Sequence, residues 1–515
     1  MTHKKYLRSI LLLIVVIVFH YSVVSQVVVY PGPAGEPVST DYKVKVNNSN
    51  VFVYQARVSG MPVNVWPGIV RPLEQTEIAA FCSFDIKKEV TITVHSNIPV
   101  DNVIIRPLSL NIKPIINGNT ISFKILKPCQ VIVEVNGWHK ALHLFANPVE
   151  KITFKNSQKN VLYFGPGIHY PGVIQAKNNQ TIYIAGGAVV HGTIYANKIK
   201  NLKIMGRGIL DASTFVREVD LLTILQLEQC QNVSVEGIIL RDAHIWTLLA
   251  HECNKVDIDN IKIIGQWRYN ADGIDIVNTK NVTIQNSFVR AFDDCIVVKG
   301  IKNFYWGQNN PNWDSTTQSN VSNVVVKNCV VWNDWNCALE IGAETVTDSI
   351  TNVLYQNCDI IHYVHVAMDI QNGNRANISN IVYDDIRVED PITENVYYDD
   401  LENPIRDLEQ IRKNPGKTYK YKLDEVGILF RINIKDNGWA KDIRYGTVKD
   451  IVFKNIRYSS LSHIPTSQFQ GYSHEHEIKN ISYQNIYING VKISNVSAAN
   501  FSINEFVKNL YFTSN

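Results

Sequence analysis

One short phrase recurs through most of this chain. It reads "NLKIMGRGIL" from Asn201, "NVSVEGIIL" from Asn232, "KVDIDNIKII" from Lys255, "NVTIQNSFV" from Asn281 and "NVVVKNCVV" from Asn323. It continues as "NVLYQNCDI" from Asn352, "NIVYDDIRV" from Asn380, "DIVFKNIRY" from Asp450 and "NISYQNIYI" from Asn480. Most intervals are about 23 to 30 residues, the period of a solenoid. Each unit is a β-branched run broken by Asn or Gly, with no helical period. Strand-only units predict a parallel β-helix, one coil per repeat. Asn suits the tight turns of such coils, because it tolerates left-handed backbone and its amide can bond to the next coil. The LxxLxL pattern of a leucine-rich repeat is missing. Two longer intervals mark insertions at about 301–320 and 391–425.

Ahead of the repeats, residues 27–150 read differently. Alternating runs such as "YKVKV", "VFVYQARV", "EVTITVH", "QVIVEVNG" and "LHLFA" are separated by turn residues. That pattern predicts a β-sandwich, serving as a structural cap or as a carbohydrate-binding module. Residues 160–510 are the expected β-helix. Residues 1–25 carry Lys4, Lys5 and Arg8, then "ILLLIVVIVFHYSVVS". This is the pattern of a signal peptide cleaved after Ser25, with an apolar run short for a membrane span. The chain is therefore expected to be secreted or periplasmic.

Removing that leader removes three basic residues and takes the formal charge from +3 to zero. A neutral exported protein is not built to grip nucleic acid or an anionic membrane. A monomer acting on a polysaccharide or oligosaccharide is expected. The 8 cysteines show no CxxC. Cys329 and Cys358 occupy matching places in successive repeats, as buried thiols or as a disulfide. No HExxH or comparable spacing appears, so no metal and no cofactor is expected.

The chemistry concentrates in "RAFDDCIVVKG", where Asp293 and Asp294 lead into an apolar strand and no basic residue lies within two positions of either. Four strands can be set in register: "DGIDIV" from Asp272, "DCIVVK" from Asp294, "CALEIG" from Cys337 and "VAMDIQ" from Val366. Alternation sends the third and fifth columns to the core. The fourth column, Asp275, Val297, Glu340 and Asp369, then faces outward, with Asp272 and Asp294 on the same exposed face. Adjacent coils lie about 4.8 Å apart, so Asp272 stacks under Asp294 and Asp293 joins from the turn. Carboxylates this close cannot all ionise cheaply, so at least one keeps its proton. A protonated acid beside ionised bases is what glycoside hydrolysis requires. Asp pairs also cap turns or bind Ca²⁺, but the third Asp inside "NADG" favours the chemical reading.

"NADGIDI" (270–276) followed by "FDDCIVVKG" (292–300) resembles the signature of family 28 glycoside hydrolases, the polygalacturonases. It also resembles the related family 49, the dextranases and isopullulanases, which place a β-sandwich ahead of the β-helix. The resemblance covers roughly 160–500 and implies an all-β chain with a right-handed parallel β-helix of the pectin-lyase-like kind. It implies inverting hydrolysis, with Asp293 as general acid and Asp272 and Asp294 as bases for water. Where the family has GHG this chain reads "NCA", and where it has RIK this chain reads "DIQ". Asp369 and Gln371 thus replace the Arg and Lys that hold a uronate carboxylate. Such an anion needs charge-assisted donors, so a neutral sugar beside the acid is the expected substrate.

Other residues qualify that expectation. "GILFRINIK" is the next coil in register, putting Arg431 in the column of Glu340 and Asp369. Arg431 either pairs with Asp369 or reaches substrate, and Lys299 is placed to contact sugar hydroxyls. Trp306, with Tyr305 and Trp313, sits in the first insertion, and Trp267 precedes Asp272. Both tryptophans are expected to stack on sugar rings or to pack loops onto the solenoid. A polysaccharide lyase and a non-catalytic glycan-binding β-helix are the competing functions.

Overall fold

The computed structural model describes residues 26–60, 71–301, 319–392, 427–436 and 442–513, apart from positions 72, 153, 156, 157, 218, 221, 222, 443 and 462. The leader, Trp306 with its insertion and most of the second insertion lie outside the described residues. Among the described residues no helix is long and apolar enough to cross a membrane.

The N-terminal strands form two sheets. One joins Val27–Val29, Thr76–Ile86, Leu142–Pro148, Cys129–Val135 and Val103–Arg106, with Tyr54–Ser59 on Thr76–Ile86. The other orders Ser49–Val51, Tyr42–Val46, Val90–Ser96, Thr120–Ile125 and Ile115–Asn117. Tyr42, Val44 and Val46 alternate inward with exposed Lys43 and Lys45, as one solvated face requires. Their core takes in Cys82, Phe84, Ile92, Phe123, Val131 and Leu144.

Every later strand from Val161 to Thr513 belongs to a single sheet of coils with parallel pairing between coils. This is the right-handed parallel β-helix. Its core is one continuous apolar cluster running from Phe164 to Ile493. The repeat's leading residues, among them Asn201, Asn232, Asn281, Asn323 and Asn352, all take left-handed backbone. Their amides form a ladder: Asn232 donates to Asn201 at 2.7 Å, Asn323 to Asn281 at 3.0 Å and Asn352 to Asn323 at 3.3 Å. Inside, Tyr355, Tyr383, Phe453, Tyr483 and Phe512 stack coil on coil with centroids 4.7, 5.1, 5.5 and 4.7 Å apart. The cysteines, including Cys329 and Cys358, are free thiols, and all but Cys129 are buried.

The sandwich does not cap an end of the solenoid. Tyr54, Phe81, Ile132 and Phe145 pack on Val189, Ile239, Phe288, Trp332 and Ile361, residues spread along successive coils. It therefore lies along the flank. Buried ion pairs fix that seam: Arg207 Nε to Asp85 at 3.0 Å and Arg106 to Glu389 at 2.6 Å. Such pairs fix geometry more than they add stability.

Candidate active site

The strands that carry the acids pair as alternation demands. Ile274 pairs with Ile296, Ile296 with Leu339, Leu339 with Met368 and Met368 with Phe430, all in the core. The outward column runs Asp275, Val297, Glu340, Asp369, Arg431. Gly273 between Asp272 and the strand is required by packing: a Cβ there would lie 2.3 Å from the Cys295 carbonyl of the next coil. Its own N–H donates to the Asp294 carbonyl at 2.8 Å. Asn333 donates to the Asp293 carbonyl at 2.6 Å and holds the turn that presents the acid pair.

The outward face is not exposed. Asp272, Asp275, Asp293, Asp294, Glu340 and Asp369 are all buried, with at most 5% of their surface accessible. The reason is the turns that precede the strands, which rise as walls. Tyr269, Trp335 and Trp246 enclose a cavity of about 550 Å³ with the acids at its floor. Trp335 stacks on Phe292 at 5.3 Å, and the guanidinium of Arg71, from the sandwich, lies 4.3 Å from the same Phe292 ring.

Lys299 organises the floor. Its ammonium lies 3.1 Å from Asp272, 3.4 Å from Asp275, 3.4 Å from Asp294 and 3.9 Å from Glu344. It also sits 4.4 Å over the Trp246 ring. Burial opposes its charge, but the surrounding carboxylates hold its pKa well above the ordinary lysine value. Asp293 is not among its ion-pair partners. Instead the Asn336 amide donates to Asp293 Oδ1 at 3.1 Å and to Asp294 Oδ1 at 2.8 Å. Burial, then the Asp294 charge, pushes Asp293 well above the usual carboxyl range, and burial does the same to Asp272 and Glu340. Asp272 Oδ1 and Glu340 Oε2 make no hydrogen bond among the described residues.

Glu340, Gln371 and Arg431 line the cavity as well. Arg431 is engaged by Asp369, with Nε donating to Oδ1 at 2.9 Å. Asp369 also accepts from the Cys337 thiol at 3.3 Å. Trp267 is elsewhere: its Nε1 donates to Asp242 at 2.9 Å, Arg268 stacks on its ring and Arg71 donates to its carbonyl at 3.0 Å. It supports the seam with the sandwich and does not line the cavity. Asn336, Trp335, Trp246 and Glu344 were not legible as site residues. For the first two a signal existed, since extending the aligned columns back by one and two positions puts Asn336 beside Asp293 and Trp335 beside Phe292.

Among the described residues the Asp275 carboxylate pairs with Lys299, and it is driven up to about 7, chiefly by burial and against the pull of Lys299. The folded chain thus binds this proton more tightly than the unfolded chain. The group's stabilising contribution is full below about pH 4 and is lost as pH rises towards 7. Between those limits the wild type is expected to lose about 2–4 kcal/mol relative to Asp275→Asn. Melting curves across that range test this, and equal pH slopes in the two proteins would remove Asp275 from the titrating set.

Comparison with known proteins adds sequence and fold kinship. The family model for glycosyl hydrolases family 28 matches residues 172–400. Rhamnogalacturonase A of Aspergillus niger is 25% identical over 157 residues, 30% of this chain and 30% of that protein. Probable exopolygalacturonase B of Aspergillus terreus is 26% identical over 225 residues, 41% of this chain and 45% of that protein. The chain thus matches less than half the length of these relatives. Dex49A from Penicillium minioluteum superposes with a TM-score of 0.61 at 14% identity, covering 94% of this chain and 96% of that one. That match is one of fold. The segment holding Asp272, Asp293, Asp294, Lys299 and Glu340 therefore carries the sequence signature of glycosyl hydrolases family 28.

Proposed function

We propose that this chain is an exported, inverting glycoside hydrolase that cuts a polysaccharide with a neutral sugar seated beside Asp293. The observation carrying this reading is the division of the acids by one ammonium. Lys299 lies 3.1 Å from Asp272 and 3.4 Å from Asp294, and it does not pair with Asp293. Burial raises Asp272 as well as Asp293, and Asp293, which lacks the ion pair, is assigned the transferable proton. In the reaction Asp293 gives that proton to the glycosidic oxygen as the C1–O bond breaks. Water attacks C1 from the opposite face, and its proton passes to Asp272 or Asp294. Inversion needs room for that water between acid and base, about 6.5–9.5 Å; one Asn336 nitrogen bonds both Asp293 and Asp294, which brings those two closer than that and leaves Asp272 as the base. Export rests on the leader pattern of residues 1–25.

The neutral-sugar subsite follows from charge. Among the described residues the cations lining the cavity are Lys299 and Arg431, and carboxylates already hold both. An incoming uronate would meet Glu340 and Glu344 and find no uncommitted donor of positive charge. The same pairing disfavours a lyase, which needs a basic side chain free to remove a proton. Reducing-sugar release by the protein lacking residues 1–25 is expected from a neutral glucan (dextran or pullulan) or from rhamnogalacturonan. Release from unmodified polygalacturonate is expected to be at least tenfold slower. Faster release from polygalacturonate would overturn the neutral-sugar subsite, and an unsaturated, ultraviolet-absorbing product would replace hydrolysis by elimination.

A further inference from the structure

We propose that Asn336 is a positioning residue that ties Asp293 to Asp294 and dictates which Asp293 oxygen carries the transferable proton. This rests on the reading of the site as a hydrolase. The Asn336 amide nitrogen has two N–H groups and directs one to each carboxylate, at 3.1 Å to Asp293 Oδ1 and 2.8 Å to Asp294 Oδ1. An amide N–H only donates, so both Oδ1 atoms must present lone pairs. The opposite orientation would face the amide oxygen to two carboxylates and is excluded unless both are protonated. Oδ2 faces the weaker donor, the Asn270 amide nitrogen at a long 3.4 Å against 3.1 Å from Asn336 to Oδ1, so the Asp293 proton is placed on Oδ2.

The same amide sorts the two bases. Asp294 has Oδ1 occupied by Asn336 and Oδ2 by Lys299 at 3.4 Å. Asp272 has Oδ2 on Lys299 and leaves Oδ1 without a partner among the described residues. Asp272 is thus the carboxylate with a lone pair available to take the proton of water, and Asp294 holds the frame. The Asn336 backbone is itself anchored: its main-chain carbonyl accepts from the His365 and Val366 N–H groups of the next coil, each at 3.3 Å. The charged and titratable groups facing Asp293 are Asp294 on its own turn, Asp272, Asp275 and Tyr269 from the preceding coil, and Lys299 from the following strand.

Two variants test this: Asn336→Leu, which removes the donors at similar volume, and Asn336→Asp, which keeps the shape and removes the amide. The first readout does not depend on turnover. Without the donor, Asp293 holds its proton more tightly when folded, and stability from such a group is lost as pH rises. The gap in melting temperature between wild type and Asn336→Leu is expected to stay constant at low pH and to widen once the pH passes the folded pKa of Asp293 in the wild type. A gap independent of pH would overturn the proposal whether or not the chain is a hydrolase. The second readout is the pH profile of turnover on the best glycan. The alkaline limb is expected to move up by about one unit, with kcat down about 10- to 100-fold and KM changed less than about threefold. Equal falls in activity at every pH, or a change confined to KM, would make Asn336 merely structural. Absence of turnover in the wild type would count against the hydrolase reading alone, and the melting series would still decide the role of Asn336.

Discussion

Asp293→Asn is expected to lower kcat by about 10³-fold while leaving the fold intact. The amide fills the carboxyl's volume but has no proton to give the leaving oxygen. Its neighbours tolerate it, because Asn336 can donate to the amide oxygen of the new side chain, and only the long 3.4 Å contact from Asn270 is given up. The substitution also removes one acid from a buried like-charged cluster, so melting temperature should hold or rise. KM should change little, since the group acts on a proton rather than on a sugar hydroxyl. Steady-state kinetics on the best glycan, with melting curves beside them, check all of these. Activity above about a tenth of wild type would place the acid elsewhere. Glu340 and Asp272 are then the alternatives, both being buried carboxyls in the cavity whose pKa is pushed well up.

Lys299→Met is expected to be the most destabilising single change in the site, by about 3–5 kcal/mol near neutral pH. It leaves Asp272, Asp275, Asp294 and Glu344 facing one another without their common cation. The methionine stem can still cover Trp246, so the loss measures charge rather than packing. Without the ammonium the pKa values of Asp272 and Asp275 rise further in the folded state. The folded variant then binds more protons than its unfolded chain, and its stability falls as pH rises. Denaturant unfolding at about pH 5 and about pH 8 should show the variant closer to wild type at the lower pH. Equal losses at both would mean that Lys299 serves packing alone.

Much of this was legible because a β-helix turns sequence into a grid. The Asn-led repeat placed the coils, and alternation placed Asp275, Glu340, Asp369 and Arg431 in one column, as their pairing shows. The sandwich strands with one solvated face, such as Tyr42–Val46, were equally plain. Strand Thr76–Ile86 was not, because Cys82 and Phe84 face the sandwich core while Ala79 and Phe81 face the solenoid, which erases alternation. Lateral docking of the sandwich was hidden for the same reason.

At the site, the depth of the cavity was missed because its walls come from turns that follow no period. Counting along the chain misjudged the basic neighbours of Asp293 and Asp294. Arg290, three residues before Asp293, is held by Asp334, whereas Lys299, five residues beyond Asp294 on the strand that follows it, pairs across coils with Val277 and reaches Asp272 and Asp275. Neighbouring coils are about 4.8 Å apart, nearer than two or three residues along a strand. Trp267 illustrates the converse. Its closeness to Asp272 in sequence suggested the cleft, but the turn between them sends it to the sandwich seam.

The most direct test of the central claim is the anomeric configuration of the first product, followed by proton NMR as the best glycan is cut. Asp293 as acid, with Asp272 and Asp294 sharing Lys299 opposite it, predicts inversion, the new reducing end appearing first in the opposite configuration to the bond cleaved. A first product of retained configuration would require a carboxylate nucleophile and a covalent intermediate, and would contradict the roles assigned here to all three aspartates.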